Sequence, residues 1–183
     1  MAEKKDNHIS LTLEETQLDI LEGDITEMDT DAIVNPANEE LQLDGPIGST
    51  IGEKGGSAIQ EECNRIGRNP VGQSVMTVSG DLPATHVIHT VGPQMGDGDS
   101  DRRLSMAVRS ALALADRHGL KSISLPPIST GSFGFPLERA SRIMLTEVHR
   151  YLQGGTKIEK VAIVLPDDEA FKTFRQELRK GFR

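Results

Sequence analysis

The sequence contains few residues that stabilise a small protein covalently or offer stacking surfaces to a ligand. Its 183 residues include one cysteine, Cys63, one tyrosine and no tryptophan. A single cysteine excludes both an internal disulfide and a cysteine-rich zinc site, as is typical of a reducing compartment. We therefore interpret Cys63 as a small buried side chain on a helix.

Long apolar segments and excess positive charge are also missing. No segment approaches the ~20 apolar residues that a membrane-spanning helix needs, and residues 1–8 lack the apolar centre of a signal peptide. The formal net charge of −8 argues against general nucleic-acid binding, because clustered Lys and Arg bind phosphate backbones. We expect a cytoplasmic protein without a membrane partner.

The length and the hydrophobic periodicity predict one α/β domain. We expect a flexible tail over residues 1–7 and a single domain over residues 8–183. Strands alternate with helices through the second half, which predicts a mixed, mostly parallel sheet between helices, with an antiparallel edge made by the first two strands. The predicted strands cover residues 8–13, 16–25, 32–36, 74–80, 86–93, 122–126 and 157–168, and the predicted helices cover residues 57–66, 102–118, 137–152 and 167–180.

Two glycine-rich segments, residues 35–56 and 126–136, follow predicted strands. Ligands of open α/β sheets bind at the carboxyl ends of the strands. Glycine admits positive φ and close approach of a ligand, and successive N–H groups can converge on an anion. A helix that begins after the segment adds its positive end. The pattern suggests a phosphate or diphosphate site, and two loops without a ligand are the equally weighted alternative.

The common phosphate-binding motifs do not match these segments. Gly48 and Gly52 are too close for a Walker motif, and Glu53 follows Gly52 where the motif requires Lys. No G-x-G-x-x-G follows the first predicted strand. The sequence therefore disfavours a Walker-type NTPase and an ordinary dinucleotide-dependent enzyme.

Five blocks, in one order, resemble the macrodomain family over nearly the whole chain. They are GDIT at 23–26, DAIVNPAN at 31–38, the first glycine-rich segment, GDLPATHVIHTVGP at 80–93 and PPISTGSFGFP at 126–136. The resemblance implies a three-layer α/β/α fold with a mixed, mostly parallel central sheet. It also implies a cleft that binds ADP-ribose or an ADP-ribosylated macromolecule, and we expect no cofactor.

The resemblance assigns roles to residues at both ends of such a ligand. Asp24 is similar to the acid that accepts a hydrogen bond from the adenine amino group, beside the amide of Ile25. Read from the residues alone, Asp24 is a turn residue or helix cap. Asn38 resembles the residue that contacts the distal ribose, since an amide donates and accepts at once. Asn35 is expected to hold the loop in place.

The two glycine-rich segments resemble the family's phosphate loops. Phe133 is similar to the ring that packs on the distal ribose, and a Phe buried in the core is its alternative interpretation. Pro166 stands where family members often place an aromatic ring near adenine, which implies apolar contact without stacking. The remaining expected ligand contacts are Gly45, Ile47, Gly48, Ser49, Ser129, Thr130, Gly131, Ser132 and Gly134.

The chain departs from the family at positions that bear on catalysis. These departures decide whether it only binds ADP-ribose or also hydrolyses a bond to it. Gly48 stands where one hydrolase branch has the Asp of GGGVDG, and Leu43 where another has a His. Asp44 is the nearest acid and a candidate general base, although a turn residue before Gly45 is the plainer interpretation. Asn38 would assist catalysis by orienting the ribose.

We therefore expect binding of ADP-ribose or of terminal ADP-ribosyl groups to be the main function. Hydrolytic removal of ADP-ribose from modified targets, or deacetylation of O-acetyl-ADP-ribose, is a further activity that the resemblance allows. The alternatives are a non-catalytic reader module and, less favoured, a nucleotide phosphatase.

The other candidate chemical groups have plainer interpretations. His86 and His89 are three residues apart on a strand and so point to opposite faces, which favours structural roles. With one cysteine and no clustered ligands, we predict no metal site. Ser129 as a covalent nucleophile would need a base that the sequence does not display.

Overall fold

The computed structural model describes residues 7–181, so the predicted tail lies outside the described residues except for Asn7. The strands are β1 (His8–Leu13), β2 (Thr16–Glu22), β3 (Ala32–Ala37), β4 (Ser74–Val78), β5 (His86–Val91), β6 (Ser122–Leu125) and β7 (Lys160–Leu165). The helices are α1 (Gly45–Gly55), α2 (Ser57–Ile66), α3 (Ser100–Arg117), α4 (Leu137–Gln153) and α5 (Asp168–Arg179), with a short 3₁₀ helix at Ile25–Glu27.

The seven strands form one mixed sheet in the order β1-β2-β7-β6-β3-β5-β4. Neighbouring strands from β2 through β5 run parallel, and β1 pairs antiparallel with β2. This confirms the predicted mostly parallel sheet and its antiparallel N-terminal edge. At the other edge β4 also runs antiparallel to β5, which the sequence reading did not predict. The connection over residues 79–85 is too short for a parallel crossover.

Both faces of the sheet are covered, because successive strand residues point to opposite sides. Val34 and Ile88 belong to the apolar core that includes buried residues of α3, α4 and α5. Ile33 and Val87 belong to a second core with Ile51 of α1 and Ile59 of α2. Burying each such side chain contributes roughly 1.5 to 3 kcal/mol. The chain therefore folds as three layers with a core on each side of the sheet.

Several predicted helix boundaries are confirmed by their capping groups. The Asp167 side chain accepts a hydrogen bond of 2.8 Å from the Ala170 amide and so caps the start of α5, within one residue of the predicted bound. Helix α2 covers the predicted residues and ends at Gly67. Cys63 is fully buried on α2, where burial raises the pKa of its thiol to about 11 and keeps it protonated.

Two expectations near the first glycine-rich segment were wrong. Residues 45–49 are not a loop but the first turn of α1, because Pro46 has the backbone angle that suits a helix start. Strand β3 continues through Pro36 to Ala37. Only Ala32 and Ile33 of β3 pair with β6, so beyond them one edge of β3 is open and tolerates a residue without an N–H.

A backbone break separates α1 from α2. Gly56 has φ +92° and ψ 178°, a combination that residues with a Cβ avoid, and it caps both helices. Gly55 and Gly56 therefore divide two helical segments, and the chain turns sharply between them.

Candidate functional site

A cavity of about 540 Å³ opens at the carboxyl ends of β3, β6 and β7. This is the edge of an open α/β sheet where ligands bind. The predicted site residues that line it are Asp24, Ile25, Asn38, Asp44, Gly45, Ile47, Gly48, Ser129, Thr130, Gly131, Ser132, Phe133 and Pro166. Ser49 and Gly134 do not line it. Residues from four separate parts of the chain therefore meet in one cleft.

Asp24 at one end of the cleft is held by three hydrogen bonds. Its Oδ1 accepts from the Thr26 amide at 2.9 Å and from the Thr26 hydroxyl at 2.6 Å, and its Oδ2 accepts from Lys54 Nζ at 3.0 Å. The Thr26 hydroxyl, reinforced by Lys54, lowers the pKa of the Asp24 carboxyl. Asp24 thus caps the 3₁₀ helix, as the residues alone suggested, and remains a charged acceptor at the cleft wall.

Asn38 and Asp44 form a polar pair at the other end. Asn38 Nδ2 donates to Asp44 Oδ1 at 3.0 Å and to the Gln42 carbonyl at 3.2 Å, and Asn38 Oδ1 accepts from the Gln42 amide at 3.1 Å. In this structure Asn38 therefore ties the loop together, the role expected of Asn35. Asn35 is paired in register with His89 on β5, and its side chain bonds that ring instead.

The first turn of α1 presents unpaired main-chain donors to the cleft. The first N–H groups of a helix have no intrahelical acceptor, and Asp44, which precedes α1, makes no side-chain cap bond to them. Pro46 has no N–H, so the donors of this turn are the amides of Gly45 and Ile47. Gly45, Ile47 and Gly48 of this turn line the cavity. The positive end of the helix dipole favours a negative group at this position.

A buried polar network supports the wall behind Gly48. His89 Nδ1 lies 3.1 Å from Asn35 Nδ2, and His89 Nε2 lies 2.8 Å from Thr77 Oγ1. Thr77 Oγ1 donates to the Val78 carbonyl at 2.9 Å, so it accepts from Nε2–H while Nδ1 accepts from Asn35. Burial lowers the pKa of His89 to about 4, and the ring is neutral at pH 7.

The second glycine-rich segment approaches β5 closely. Ser129 has φ +66° and is 5% exposed, and its Oγ has no hydrogen-bond partner among residues 7–181. A Cβ at Gly92 would overlap the Ser129 side chain, so only glycine allows this approach. Without a base in hydrogen-bond reach, Ser129 is not arranged as a nucleophile.

The two phenylalanines of this segment have different environments. Phe135 is 2% exposed and belongs to the core, with Arg139 lying 5.5 Å from its ring centre. Phe133 is half-buried and lines the cleft, and its carbonyl accepts from the Met95 amide at 2.8 Å. The core position considered for Phe133 is therefore taken by Phe135.

No lysine or arginine is among the described residues that line this cleft, and its charged groups are the carboxylates of Asp24 and Asp44. Within residues 7–181 no three His, Cys, Asp or Glu side chains are grouped so that they could hold a metal ion. The same part of the chain contains no helix long and apolar enough to cross a membrane. An anion in the cleft would have main-chain N–H groups and hydroxyls as its donors.

Comparison with known sequences places this arrangement in a family. A family model for the Macro domain matches residues 34–144. The chain belongs to the macro domain family. A Pantoea vagans protein named O-acetyl-ADP-ribose deacetylase 1 is 41% identical over 164 residues, which cover 86% of this chain and 96% of that protein.

Solved structures agree with this assignment. The Oceanobacillus iheyensis macrodomain with ADP superimposes with a TM-score of 0.91 at 29% identity, covering 94% of this chain and 95% of that one. The Trypanosoma brucei macrodomain in complex with ADP-ribose gives a TM-score of 0.83 at 32% identity, covering 90% and 69% of the two chains. The predicted three-layer macrodomain fold is thus confirmed.

Several cleft residues of this macro domain were missed by the sequence reading. Gly92 lies at the end of the block 80–93 that carries the family resemblance, and its place after a strand was the available signal. For Thr26 the available signal was its place in the block GDIT at 23–26, which also carries the resemblance. The other missed lining residues are Gly23, Pro36, Ala37, Pro46, Thr50, Pro127, Ile128 and Val164.

A second cavity, of about 450 Å³, adjoins the macro domain cleft. Both cavities are lined by Asn38, Gly92 and Phe133, so they meet at that end. The second one is more polar, with Glu39, Glu40, Asp97 and Arg103 in its wall. A group attached to a ligand at the Asn38 end would have room to extend there.

Proposed function

We propose that this macro domain binds ADP-ribose, free or as the terminal group of a modified macromolecule. The observation that carries the proposal is the order of donors and acceptors along the cleft. A charged acceptor lies at one end, unpaired main-chain donors lie in the middle, and an amide beside a ring lies at the other. Adenine, diphosphate and distal ribose follow one another in the same order.

The base end suits adenine. The adenine amino group donates to Asp24, and the ring nitrogen beside it accepts from the Ile25 amide, which as the first N–H of a helix has no intrahelical acceptor. Val164 and Pro166 line this end and supply apolar contact. The proposal gives the base apolar contact without aromatic stacking, since Phe133 is the one aromatic side chain among the described lining residues and lies at the other end.

The middle of the cleft suits the diphosphate. The first turn of α1 and the segment from Ser129 to Gly131 supply amides and hydroxyls, and the unpaired Ser129 Oγ gains a partner when an oxygen anion is present. Hydrogen bonds to a charged acceptor are worth about 1.5 to 3 kcal/mol each. Several such bonds offset the repulsion from the protein's net charge.

The distal ribose is assigned to Asn38 and Phe133. Asn38 releases its bond to Asp44 or to Gln42 to meet a ribose hydroxyl, and Phe133 covers the sugar. This role, like the contacts of Gly45, Ile47 and Gly48, is part of the proposal.

Calorimetric titration with ADP-ribose, AMP and NAD tests the binding proposal. We expect ADP-ribose to bind most tightly, because AMP lacks the second phosphate and ribose and NAD carries a bulky charged base on the distal ribose. Equal affinities for the three ligands would contradict the assignment of the cleft.

A second candidate function is hydrolysis of an ester on the distal ribose. It is favoured by the identity to the Pantoea vagans protein and by Asp44, whose Oδ1 lies 3.0 Å from Asn38 Nδ2. Asp44 would take a proton from water as the water oxygen attacks the acyl carbon. The ribose oxygen leaves and is protonated, giving ADP-ribose and a carboxylic acid.

Release of acetate from O-acetyl-ADP-ribose tests this second function. Wild type, Asp44→Asn and Asn38→Ala are compared with the uncatalysed reaction. We expect Asp44→Asn to lower kcat by about 10² or more, the usual contribution of a general base. If wild type does not exceed the uncatalysed rate, the protein is a reader that binds without turnover.

A further inference from the structure

Phe133 lines both cavities and lies in a glycine-rich turn. The Gly134 amide donates to the Gly131 carbonyl at 3.0 Å, and Gly134 has φ +76°. Phe133 is half-buried, whereas the core position of this segment is filled by Phe135. Glycine leaves the backbone many conformations, so contacts from outside the turn are needed to fix the Phe133 ring.

The loop over residues 92–99, between β5 and α3, supplies such a contact. Its Met95 amide donates to the Phe133 carbonyl at 2.8 Å. The Met95 Cβ also lies 3.8 Å from where a Cβ of Gly134 would be, so the loop lies directly against the turn. Met95 itself is 42% exposed, and the core does not hold its side chain.

Arg139, in the first turn of α4, anchors the Met95 side chain. Arg139 Nη1 donates to Met95 Sδ at 3.8 Å, and Arg139 Nη2 lies 2.6 Å from Asp101 Oδ1 in the first turn of α3. The guanidinium also lies over the Phe135 ring, 5.5 Å from its centre. A bond to sulfur is weak by itself, but the ion pair and the ring fix the planar guanidinium beside it.

These contacts connect Arg139 to the ribose end of the cleft in three steps. Arg139 holds Met95, the Met95 amide holds the Phe133 carbonyl, and Phe133 lines the cleft. A side chain that is already in place does not have to be ordered when the ligand binds, and this raises affinity. The adenine contacts and the first turn of α1 lie outside this chain of contacts.

We propose that Arg139 is a positioning residue, which acts through Met95 to hold Phe133 over the distal ribose. This inference rests on the proposed binding of ADP-ribose and on the assignment of its distal ribose to Phe133. Arg139 itself does not line the cleft, so it supports the ribose end without contacting the ligand.

Calorimetric titration of the full chain with ADP-ribose and with ADP tests the inference, because ADP lacks the distal ribose. For Arg139→Leu we expect the ratio of the ADP-ribose to the ADP dissociation constant to rise about threefold or more. Ordering one free side chain on binding costs a factor of about two to ten in affinity. Met95→Ala, a change in an exposed loop, should raise the same ratio by a similar factor.

Two further variants separate this effect from loss of charge. Arg142→Leu removes the same charge from an exposed position of α4 that forms no ion pair within residues 7–181, and it should leave the ratio unchanged. The double variant of Arg139→Leu and Met95→Ala should match Arg139→Leu within about twofold, because both changes break one contact. Circular dichroism and melting curves show whether each variant is folded.

The outcomes distinguish the inference from the proposed function. If ADP-ribose does not bind to wild type, the proposed function fails. If it binds, and Arg139→Leu weakens ADP-ribose and ADP by the same factor or raises the ratio by less than about threefold, only this inference fails. A double variant whose loss is the product of the two single losses likewise overturns it. If Arg139→Leu does not fold, Met95→Ala decides the question at the same threshold.

Discussion

Asn35 and His89 lie beside each other on β3 and β5, and both are buried. Thr77 Oγ1 donates its hydrogen to the Val78 carbonyl, so it accepts from His89 Nε2–H. His89 Nδ1 is then an acceptor, and the Asn35 amide is oriented with Nδ2 toward the ring. Asn35 Oδ1 is left without a partner among the described residues, 3.5 Å from where a Cβ of Gly48 would lie. Two side chains outside the cleft therefore shape the wall at its centre.

His89 predicts a dependence of stability on pH. Its pKa is about 4 when folded and 6.5 when exposed, so between these values the unfolded chain binds a proton that the folded chain does not. Stability therefore falls as pH drops from about 6.5 to about 4, by up to roughly 3 kcal/mol, and this contribution is constant below that range.

Urea unfolding at several pH values checks this against His89→Leu. The variant is less stable at pH 7, because it leaves the buried Asn35 Nδ2 donor without its acceptor, while Thr77 keeps its bond to the Val78 carbonyl. The difference in the free energy of unfolding between wild type and the variant should shrink as the pH falls toward 4. If the free energies of unfolding of the two proteins change with pH in parallel, His89 does not titrate as its burial implies.

A second prediction for a single residue concerns Asp24. Asp24→Ala removes the acceptor for the adenine amino group, and the affinity for ADP-ribose should fall about tenfold or more. Calorimetry measures the loss, with Asp24→Asn as the matched variant that keeps an acceptor oxygen. Unchanged affinity in Asp24→Ala would place adenine elsewhere.

At the scale of elements, the sequence predicted structure best where the signal was local. The bounds of α2 and the capping of α5 follow from nearby glycines and an aspartate. The orientation of β4 and the place of Gly92 depend on which strands become neighbours, and one sequence does not state this. Lys54 and Asp24 are likewise 30 residues apart, and no local pattern joins them.

The junction between α1 and α2 gives a prediction about stability. Gly56→Ala places a Cβ at φ +92°, and such strain costs on the order of 1 to 3 kcal/mol. Gly98→Ala is the control, because its Cβ would meet no atom within 4 Å and its φ is not positive. Urea unfolding should show a loss in the first variant and a change within about 0.5 kcal/mol in the second. Equal stabilities would mean that the junction relaxes freely.

At the scale of the whole molecule, the charge of the protein opposes the charge of its proposed ligand. The chain carries a formal net charge of −8, and the described lining of the main cleft contains no Lys or Arg. In the proposed complex, short-range main-chain donors hold the anion while the distant charges repel it. Salt screens distant charges more than it weakens close hydrogen bonds.

The affinity for ADP-ribose should therefore stay level or rise when salt increases from about 50 mM to about 500 mM, with a change of no more than about threefold. Calorimetry at the two concentrations measures it. Nucleic-acid binding through a cationic surface loses affinity steeply over this range. A similarly steep loss here would indicate cationic contacts that the structure does not place in the cleft.

Strand β7 is the last strand among residues 7–181, yet it lies between β2 and β6 near the middle of the sheet. Val164 and Pro166, which line the base end of the cleft, are supplied by this strand and the residue after it. A nascent chain that ends before residue 160 lacks both the strand that joins β2 to β6 and two residues of the cleft lining, so the complete cleft requires residues 160–166. Ligand capture by a growing chain would report that this strand is in place.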